Sequence, residues 1–438
     1  MSRKGTLVLL TVLLVFLNAD QMVMSPNIGA IEQEFGIGDG HIGMVASVFT
    51  ILGAAISLLW GYWADRFSRK RLLVFSILVG EIPCLMSAFS GSFAQLFLWR
   101  ALTGIGVGAS FPIAFSLVGD LFGQEKRASV SGILGVSISL GSIVGMIVGG
   151  FSGGAMGWRF PFLVVSIPNI LLGFLAFFLL KEPQRGAMEE GIGELVREGH
   201  RYPGQVRFSD YLALFKNRTN LLLFIQGLMG TIPWGAIPYY LVEFFRRERG
   251  LSVVLATVVF LVFGVGNMLG VLAGGWWGGR MYRKKPAKVP FFCGWTTALG
   301  ALLTLGVFWY EPAGTLGGLV ILSTLGFFAA FFDSTTGPNM KMMLLNVNRP
   351  QDRGRIFSVF NLTDSLGAGF GKFFGGTVSI ALGSLAAAMK ISALFWFGCA
   401  VVLLLLIPFF EGDIATLKNK MRGLGRLVLE EKVQHQED

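Results

Sequence analysis

Long apolar runs alternate with short charged segments along the whole chain. A run of about 20 apolar residues is long enough to cross a bilayer as a helix. On this criterion the pattern predicts twelve membrane-spanning helices, at residues 5–28, 42–63, 72–90, 94–119, 128–150, 160–180, 219–243, 252–277, 289–309, 315–340, 355–377 and 388–410. The predicted fold class is therefore an all-α membrane protein.

Lys and Arg residues are distributed unevenly between the two sides that these spans define. With the N-terminus inside, 29 of the 36 basic residues fall in inner segments and five fall in outer segments. Cytoplasmic loops of membrane proteins carry such an excess of Lys and Arg. The bias predicts that both termini are cytoplasmic, and it explains the net charge of +10 without a nucleic-acid partner.

The composition excludes an ordinary soluble protein, because 53% of the 438 residues are hydrophobic and only 14% are charged. The three cysteines fall inside apolar runs, and the three histidines are scattered through loops and the tail. Neither set has the spacing of a metal site. We therefore expect no metal and no cofactor, with protons as the candidate coupling ion.

One long polar connection divides the predicted spans into two groups of six. It has a charged start, and apolar residues near its end are spaced for a short helix on the membrane surface. The predicted organisation is an N-terminal six-helix bundle at 1–180, a cytoplasmic linker at 181–218, a C-terminal six-helix bundle at 219–410 and a cytoplasmic tail at 411–438.

Two stretches of sequence recur at equivalent places in the two groups. Gly61–Arg71, after the second helix, recurs as Gly275–Lys285. A glycine at every fourth position of the fifth helix also recurs, the two sets being Gly141, Gly145 and Gly149, and Gly367, Gly371 and Gly375. This duplication resembles that of the major facilitator superfamily. The resemblance implies two pseudo-symmetric six-helix bundles with a substrate site between them near the midplane.

The first of these stretches resembles the signature that this family carries between its second and third helices, G-x-x-x-D-R-x-x-R-R/K. The resemblance implies a conformational latch of the outward-facing state. The latch residues would be Gly61, Asp65, Arg66, Arg69 and Asp120. The second copy has Gly279 in the position of the acid, so we expect the latch in the first half only. The alternative is a positive-inside cluster without a further role.

The recurring glycines allow close helix packing, since small residues let two backbones approach each other. In the first half they also resemble the fifth-helix antiporter motif of the family, G-x-x-x-G-P-x-x-G-G, with Met146 in the proline position. Both interpretations stay open, and export by exchange is only suggested by the second.

Ionisable residues inside spans are costly and are therefore candidate functional residues. The candidates for substrate binding and coupling are Asp20, Glu81, Arg100, Asp333 and Asp364, with Trp234 and Tyr239 as aromatic residues of a cavity or of ordinary packing. At ~1.5 Å per residue in a core of about 30 Å, Asp20 and Arg100 lie at one depth. We therefore expect them to pair, with Arg100 as the anion anchor and Asp20 as the titrating partner. Alternatively, Arg100 extends to the outer surface.

Further stretches resemble the Spinster-like branch of the superfamily. They are Asp20, the run Arg100-Ala-Leu-Thr-Gly-Ile-Gly with Asp120-Leu-Phe after it, and Lys181-Glu-Pro-Gln-Arg-Gly-Ala after the sixth helix. Members of that branch move lysophospholipids or sphingoid lipids, so the resemblance implies an amphipathic substrate. Gln21 stands where the branch carries Arg, and Val107 stands where some members carry a Glu used in proton coupling.

The repeat relates Val107 to Asp333, which is thus a candidate substitute for the missing carboxylate. The alternative is a structural acid that pairs with Arg280 or Lys341 near the inner end.

We expect a secondary transporter for an amphipathic anion, lysophospholipid-like or sphingoid-like, that works by alternating access. The rival is a proton-coupled drug or organic-anion antiporter of the same fold. A membrane-embedded enzyme is disfavoured, because no His/Asp/Ser or metal constellation lies at one membrane depth. The expected partners are the small-molecule or lipid substrate and membrane lipids, for a monomer in a prokaryotic cytoplasmic membrane.

Overall fold

The computed structural model describes residues 2–64, 67–122, 124–182, 214–312, 315–348, 353–417 and 419. These residues are almost entirely helical, with no strand among them. We number the α-helices in chain order and name the inner and outer ends of each by the orientation that the charge distribution predicts.

The helices of the first half of the chain begin and end as follows: α1 Arg3–Ala19, α2 Ile28–Phe35, α3 Asp39–Ala64, α4 Arg69–Ser87, α5 Phe93–Val107, α6 Ser110–Leu121, α7 Gln124–Ile147, α8 Gly153–Met156 and α9 Phe160–Leu179. Those of the second half are α10 Arg218–Arg249, α11 Val253–Lys284, α12 Lys288–Trp309, α13 Leu316–Ser334, α14 Thr336–Val347, α15 Arg353–Leu382 and α16 Leu385–Leu405.

Helical segments occupy the positions of all twelve predicted spans. Eight helices of the described residues are long and apolar enough to cross a membrane by length and composition, and together they indicate an integral, multi-pass membrane protein. Of the others, α1 has only 17 residues, and α4 begins with three basic residues and contains Glu81. The count of twelve crossings and the cytoplasmic termini stay predictions.

The first predicted span, 5–28, is not one continuous helix. The helix α1 ends at Ala19, a turn follows, and a short 3-10 helix at Ser25–Asn27 leads into α2. Pro26 contributes to the break, since it has no backbone N–H to donate. The interruption leaves Asp20 at the end of a helix, where its side chain and its main-chain carbonyl group can both accept hydrogen bonds from other helices.

The fourth and tenth predicted spans are also interrupted, and at equivalent places. The helices α5 and α6 are separated at Gly108 and Ala109, while α13 and α14 are separated at Thr335. Positions 109 and 335 differ by 226, which is also the spacing of the recurring glycines. The backbone break is thus part of the internal repeat, although the local residue types differ.

Glycines bring α7 and the residues just after it into backbone contact with α1 and the turn that follows α1. A Cβ atom at Gly141, Gly145 or Gly149 would collide with a main-chain carbonyl oxygen of residues 15–23. In the second half, a Cβ atom at Gly371 would collide with the carbonyl oxygen of Ile232, and one at Gly375 would lie 3.1 Å from Ala236. Gly367 lies on the same helix, α15. Small residues are therefore needed where these helices approach each other.

The chain divides into two compact units by its contacts. The first consists of Met1–Gln205, Ile232–Leu261 and Ser365–Ser392. Within its described residues, an apolar core lies between α1, α3, α4, α6 and α9, with buried side chains such as Leu13, Trp60 and Ile77.

The second unit consists of Val206–Thr231, Val262–Asp364 and Ala393–Asp438. Its apolar core includes the buried residues Phe224, Met343, Phe360 and Phe410. The predicted division into two six-helix bundles, a linker and a tail concerns the halves of the sequence, and it stays a prediction. Most of the predicted linker and tail, at 183–213 and 420–438, lies outside the described residues.

Candidate functional site

Asp20 and Arg100 form a buried ion pair in the first unit. The Nη1 atom of Arg100 lies 3.1 Å from Asp20 Oδ1, and its Nη2 atom donates to the main-chain oxygen of Asp20 at 2.7 Å. Neither residue has more than 3% of its surface exposed. The two charges that the sequence predicts to meet are thus in contact, and Arg100 does not extend to the outer surface.

Two aromatic rings flank the guanidinium group of Arg100. Its central carbon lies 4.6 Å from the ring centre of Phe49 and 5.5 Å from that of Phe162. A cation over an aromatic face is attracted by the ring quadrupole, and more strongly where water is excluded. The rings therefore hold the cation in an apolar position with only one described carboxylate bonded to it.

Two more polar side chains, both from α4, lie next to Asp20. The Cys84 thiol donates to Asp20 Oδ1 at 2.6 Å, and Glu81 Oε1 accepts from the amide of Asn169 at 2.6 Å. One carboxylate oxygen of Asp20, one of Glu81 and the Sγ atom of Cys84 lie within 4.8 Å of one another, and all three residues are fully buried. The structure thus places two of the predicted carboxylates side by side.

A small cavity opens in front of Arg100. About 10 Å³ of it is open to the centre of a water-sized sphere, which is room for about one water molecule. The side chains that line it are Gln21, Met24, Val45, Ala46, Phe49, Arg100, Tyr239 and Lys372. The cavity has two cations in its wall and belongs entirely to the first unit.

Lys372 is the second cation of this cavity, and it is 5% exposed. Its Nζ atom donates to Thr50 Oγ1 at 2.7 Å and lies 5.5 Å from the ring centre of Tyr239. Among the described residues, no carboxylate lies within ion-pair distance of it. Lys372 lies inside the eleventh predicted span, at residues 355–377, and its place in the site was not predicted from the sequence. The one sequence feature that could have indicated a role for Lys372 is its position next to Gly371, on the helix that carries the recurring glycines.

The two predicted aromatic residues differ in their placement. Tyr239 is buried and lines the cavity, and its hydroxyl group has no hydrogen-bond partner among the described residues. Trp234 is half-buried on the same helix, α10, and is not part of the cavity wall. Tyr239 is therefore the better candidate to contact a ligand there.

The other two predicted carboxylates belong to the second unit. Asp333 Oδ2 accepts from Thr304 Oγ1 at 3.2 Å, and its Oδ1 atom has no partner among the described residues. The alternative pairing of Asp333 with Arg280 or Lys341 is not present in the described part of the chain. Asp364 is half-buried, and its buried Oδ1 atom also lacks a described partner.

A cluster of charges joins the outer ends of α2, α3 and α10. Arg247 contacts Glu32 at 2.6 Å, Asp39 at 2.9 Å and Glu243 at 3.0 Å, while Arg246 contacts Glu243 at 2.6 Å. Burial raises the pKa of Glu32 to about 8, and the nearby carboxylate of Asp39 adds to the effect. No local sequence pattern predicts this cluster, because its members are far apart in the chain.

At the inner end, Arg69 of the predicted latch is buried and bonds to Glu182. Two main-chain N–H groups, the Ser68 hydroxyl and Arg69 Nε all donate to this carboxylate at 2.7–3.0 Å. Burial opposes ionisation of Glu182, but these hydrogen bonds outweigh it and lower its pKa. Glu182 was not predicted from the sequence as a partner of Arg69.

The remaining latch residues are only partly described. Gly61 lies on α3, where a Cβ atom would be 3.7 Å from Pro112. Asp65 and Arg66 lie outside the described residues, and so does the side chain of Asp120. The latch therefore stays a prediction.

Known proteins resemble this chain over most of its length. The sequence profile of the Major Facilitator Superfamily matches residues 10–332. The chain is 24% identical over 313 residues to Protein spinster of Drosophila melanogaster, which covers 69% of this chain and 50% of that protein. It is 27% identical over 317 residues to the Cis,cis-muconate transport protein of Acinetobacter baylyi, covering 70% and 72%.

A third relative is the Sphingosine-1-phosphate transporter SPNS2 of Danio rerio, 30% identical over 223 residues that cover 49% of this chain and 42% of that protein. The chain thus spans about half the length of the Spinster-type relatives. Among solved structures, a bacterial homologue of the human lysosomal transporter Spinster, inward-facing and unoccupied, superposes with a TM-score of 0.76 at 19% identity, over 94% of this chain and 97% of that one. The superposition shows a shared fold.

Proposed function

The chain belongs to the Major Facilitator Superfamily, resembling its Spinster-like branch, and from this premise we propose that it moves an amphipathic anion across the membrane by alternating access, coupled to protons. The substrate class is a lysophospholipid or a sphingoid lipid with a charged head group. The family is one of transporters rather than enzymes.

The presence of two buried cations at one cavity carries this proposal. Arg100 and Lys372 both line the space, and the described residues supply only Asp20 as a bonded counter-charge. A buried cation without a partner is unfavourable. An anionic head group in the cavity would neutralise Lys372, and this compensation favours anions over neutral or cationic solutes.

The coupling follows from competition for Arg100. A substrate anion that bonds to Arg100 leaves Asp20 without its counter-charge in a fully buried position. The free energy of an unpaired buried carboxylate favours the uptake of a proton. Anion binding and protonation of Asp20 would therefore occur together.

The support for a lipid substrate lies outside the cavity. It comes from the Spinster-type relatives, one of which is named as a sphingosine-1-phosphate transporter. Because the cavity holds about one water molecule in this conformation, an acyl chain could lie along the apolar side chains of Met24, Val45 and Phe49 only after the cavity widens during transport.

A second candidate function is that of a proton-coupled organic-anion or drug antiporter. Two cations at one cavity also suit a small dicarboxylate, and one relative is named as a transporter of cis,cis-muconate. The small volume of the cavity favours a compact anion over a bulky one in this conformation.

Three further points belong to the proposal. The inner loop with Asp65 and Asp120 acts as a latch of the outward-facing state. The carboxylates Asp333 and Asp364 take part in coupling from the second unit. The protein works as a monomer in a prokaryotic cytoplasmic membrane, without a cofactor other than the coupling proton.

The proposal can be tested by transport into proteoliposomes that contain the full chain. Fluorescent lysophosphatidylglycerol and cis,cis-muconate would each be offered with and without a pH gradient. Arg100→Ala is the loss variant, and Glu311→Gln, a change at an exposed outer residue, is the matched control. Arg100-dependent movement of the lysolipid supports the first candidate, and movement of muconate alone supports the second. If neither solute moves under any gradient, both are wrong.

A further inference from the structure

Glu81 is a second buried carboxyl group beside the Asp20–Arg100 pair, and the transport scheme above does not use it. It lies on α4, one turn before Cys84, whose thiol donates to Asp20. Its side chain has no exposed surface, and its carboxylate lies within the same 4.8 Å cluster as that of Asp20.

The hydrogen bonds of Glu81 do not compensate a negative charge. Its Oε1 atom accepts from the neutral amide of Asn169, and its Oε2 atom has no partner among the described residues. The only ion pair of Arg100 in the described part of the chain is with Asp20. Two carboxyl groups therefore share one cation.

The surroundings of Glu81 leave few other groups that could change this balance. The described titratable groups that act on it are Asp20 at the end of α1 and Arg100 on α5. On its own helix Cys84 is engaged as a donor to Asp20, and α9 contributes only the neutral Asn169. A fully buried carboxylate with no cation of its own is strongly disfavoured.

The unpartnered oxygens of the two acids point to a proton. Asp20 Oδ2 and Glu81 Oε2 are both buried and both lack a hydrogen-bond partner in the described residues. A proton on one of them would give the other a donor after a small side-chain rotation. Asp20 does not line the cavity, so a donor inside the protein is the nearest source of a proton for it.

We propose that Glu81 is the proton store of this site: it is protonated while Arg100 bonds to Asp20, and it supplies Asp20 with a proton when an anion takes Arg100. This inference rests on the proposed transport function. In the transfer the Oε2–H bond of Glu81 breaks and an Oδ2–H bond forms on Asp20. Glu81 then regains a proton from water when the site opens, so that one proton is taken up for each anion bound.

Infrared spectroscopy of the purified full chain tests the resting state without any substrate. A protonated carboxyl group has a C=O stretching band that a carboxylate lacks, and this band moves on transfer to D2O. At neutral pH we expect Glu81→Gln to remove one component of the band. Asp333→Asn, a buried acid outside the cluster, should leave that component in place.

A second variant gives a readout that a purely structural role would not produce. Asn169→Ala removes the donor to Glu81 Oε1, so the component should move to higher frequency without being lost. Cys84→Ala removes a donor to Asp20 and should leave the frequency of the Glu81 component unchanged. A spectrum of Glu81→Gln that retains every component at neutral pH means that Glu81 is ionised, and the proposal is then wrong. A component that is present only in sodium-free buffer would also overturn it, since the cluster would then hold Na⁺.

The transfer step is tested by stopped-flow proton uptake with lysophosphatidylglycerol and a pH indicator. We expect Glu81→Gln to bind the lysolipid as the wild type does, but to take up the proton about 100-fold more slowly, because a positioned donor is lost. An unchanged rate of uptake contradicts the store. A complete lack of lysolipid binding by the wild type concerns the proposed function and leaves the infrared result standing.

Discussion

Arg100 bonds to Asp20 in two ways, through a carboxylate oxygen at 3.1 Å and through the main-chain carbonyl oxygen at 2.7 Å. The second bond is available because α1 ends at Ala19. An anion that displaces the carboxylate can therefore leave Arg100 anchored to the backbone. In the proposed mechanism, the break in the first helix, rather than the side chain of Asp20 alone, would keep Arg100 in position while an anion replaces the carboxylate.

Lys372 should contribute to anion affinity. Replacing it by Met keeps an apolar side chain of similar length and removes the charge. A hydrogen bond to a charged group contributes about 1.5–3 kcal/mol, so we expect binding of lysophosphatidylglycerol to weaken by roughly 10- to 100-fold. Changes in intrinsic tryptophan fluorescence would report the Kd. Thr50→Val, which removes the hydrogen-bond acceptor of Lys372, is the matched control and should weaken binding far less. Equal effects of the two changes would mean that Lys372 acts only through packing.

The outer charge cluster should respond to pH through Glu32. Its pKa is raised from 4.5 to about 8 in the observed contacts, so these contacts bind a proton that a solvent-exposed Glu32 would lose. The free energy with which protonated Glu32 stabilises these contacts is thus fully present below pH 4.5. It is lost as the pH rises through about 8. We expect alkaline pH to separate the ends of α2 and α10.

Distances between spin labels on residues 37 and 251 would show this separation between pH 6 and 9. In Glu32→Gln, the distances should stay short over the whole range, because the amide mimics the protonated acid. Glu34→Gln, on the same helix but paired with Arg159, serves as the control and should behave as the wild type does. If the wild-type distances do not change with pH, the cluster has no such role.

Glu182 should stabilise the beginning of α4. Its carboxylate accepts from the main-chain N–H groups of Arg69 and Lys70 at 3.0 and 2.8 Å, where the helix dipole favours a negative charge. Glu182→Gln should lower the unfolding free energy by about 1 kcal/mol, with a fall of the thermal midpoint by about 1–3 °C in detergent.

Because the pKa of Glu182 is lowered, its contribution to stability is present above pH 4.5 and is lost as the pH falls further. The difference in midpoint between the wild type and Glu182→Gln should therefore narrow in acid. If the difference in midpoint persists unchanged at pH 3, Glu182 stabilises the helix through packing rather than through its charge.

The sequence predicted the positions of the helices well, because apolar length and the positions of Lys and Arg follow directly from the bilayer. It did not predict the breaks at Asp20 and Ala109. Both lie inside apolar runs, and hydropathy does not report the backbone conformation within a run. Only Pro26 marked the first break.

The site was predictable where one residue type is costly in a membrane. Asp20 and Arg100 could be paired from their depth in the membrane alone, since the number of residues between each of them and the end of its predicted span gives that depth. Lys372 and Glu182 were missed as members of a site because their roles depend on which helices face each other. Glu32 and Arg247 are separated by 215 residues, and no local pattern connects them.

Binding of lysophosphatidylglycerol between pH 5 and 8 tests the central claim, that an anion and Asp20 compete for Arg100. In the wild type, affinity should rise as the pH falls, by up to about tenfold per pH unit, because one proton is taken up with the anion. Asp20→Asn should bind at every pH without this dependence, and Arg100→Ala should not bind. A pH profile of Asp20→Asn that matches the wild type would contradict the account, because the pair would then be structural and the coupling would lie elsewhere.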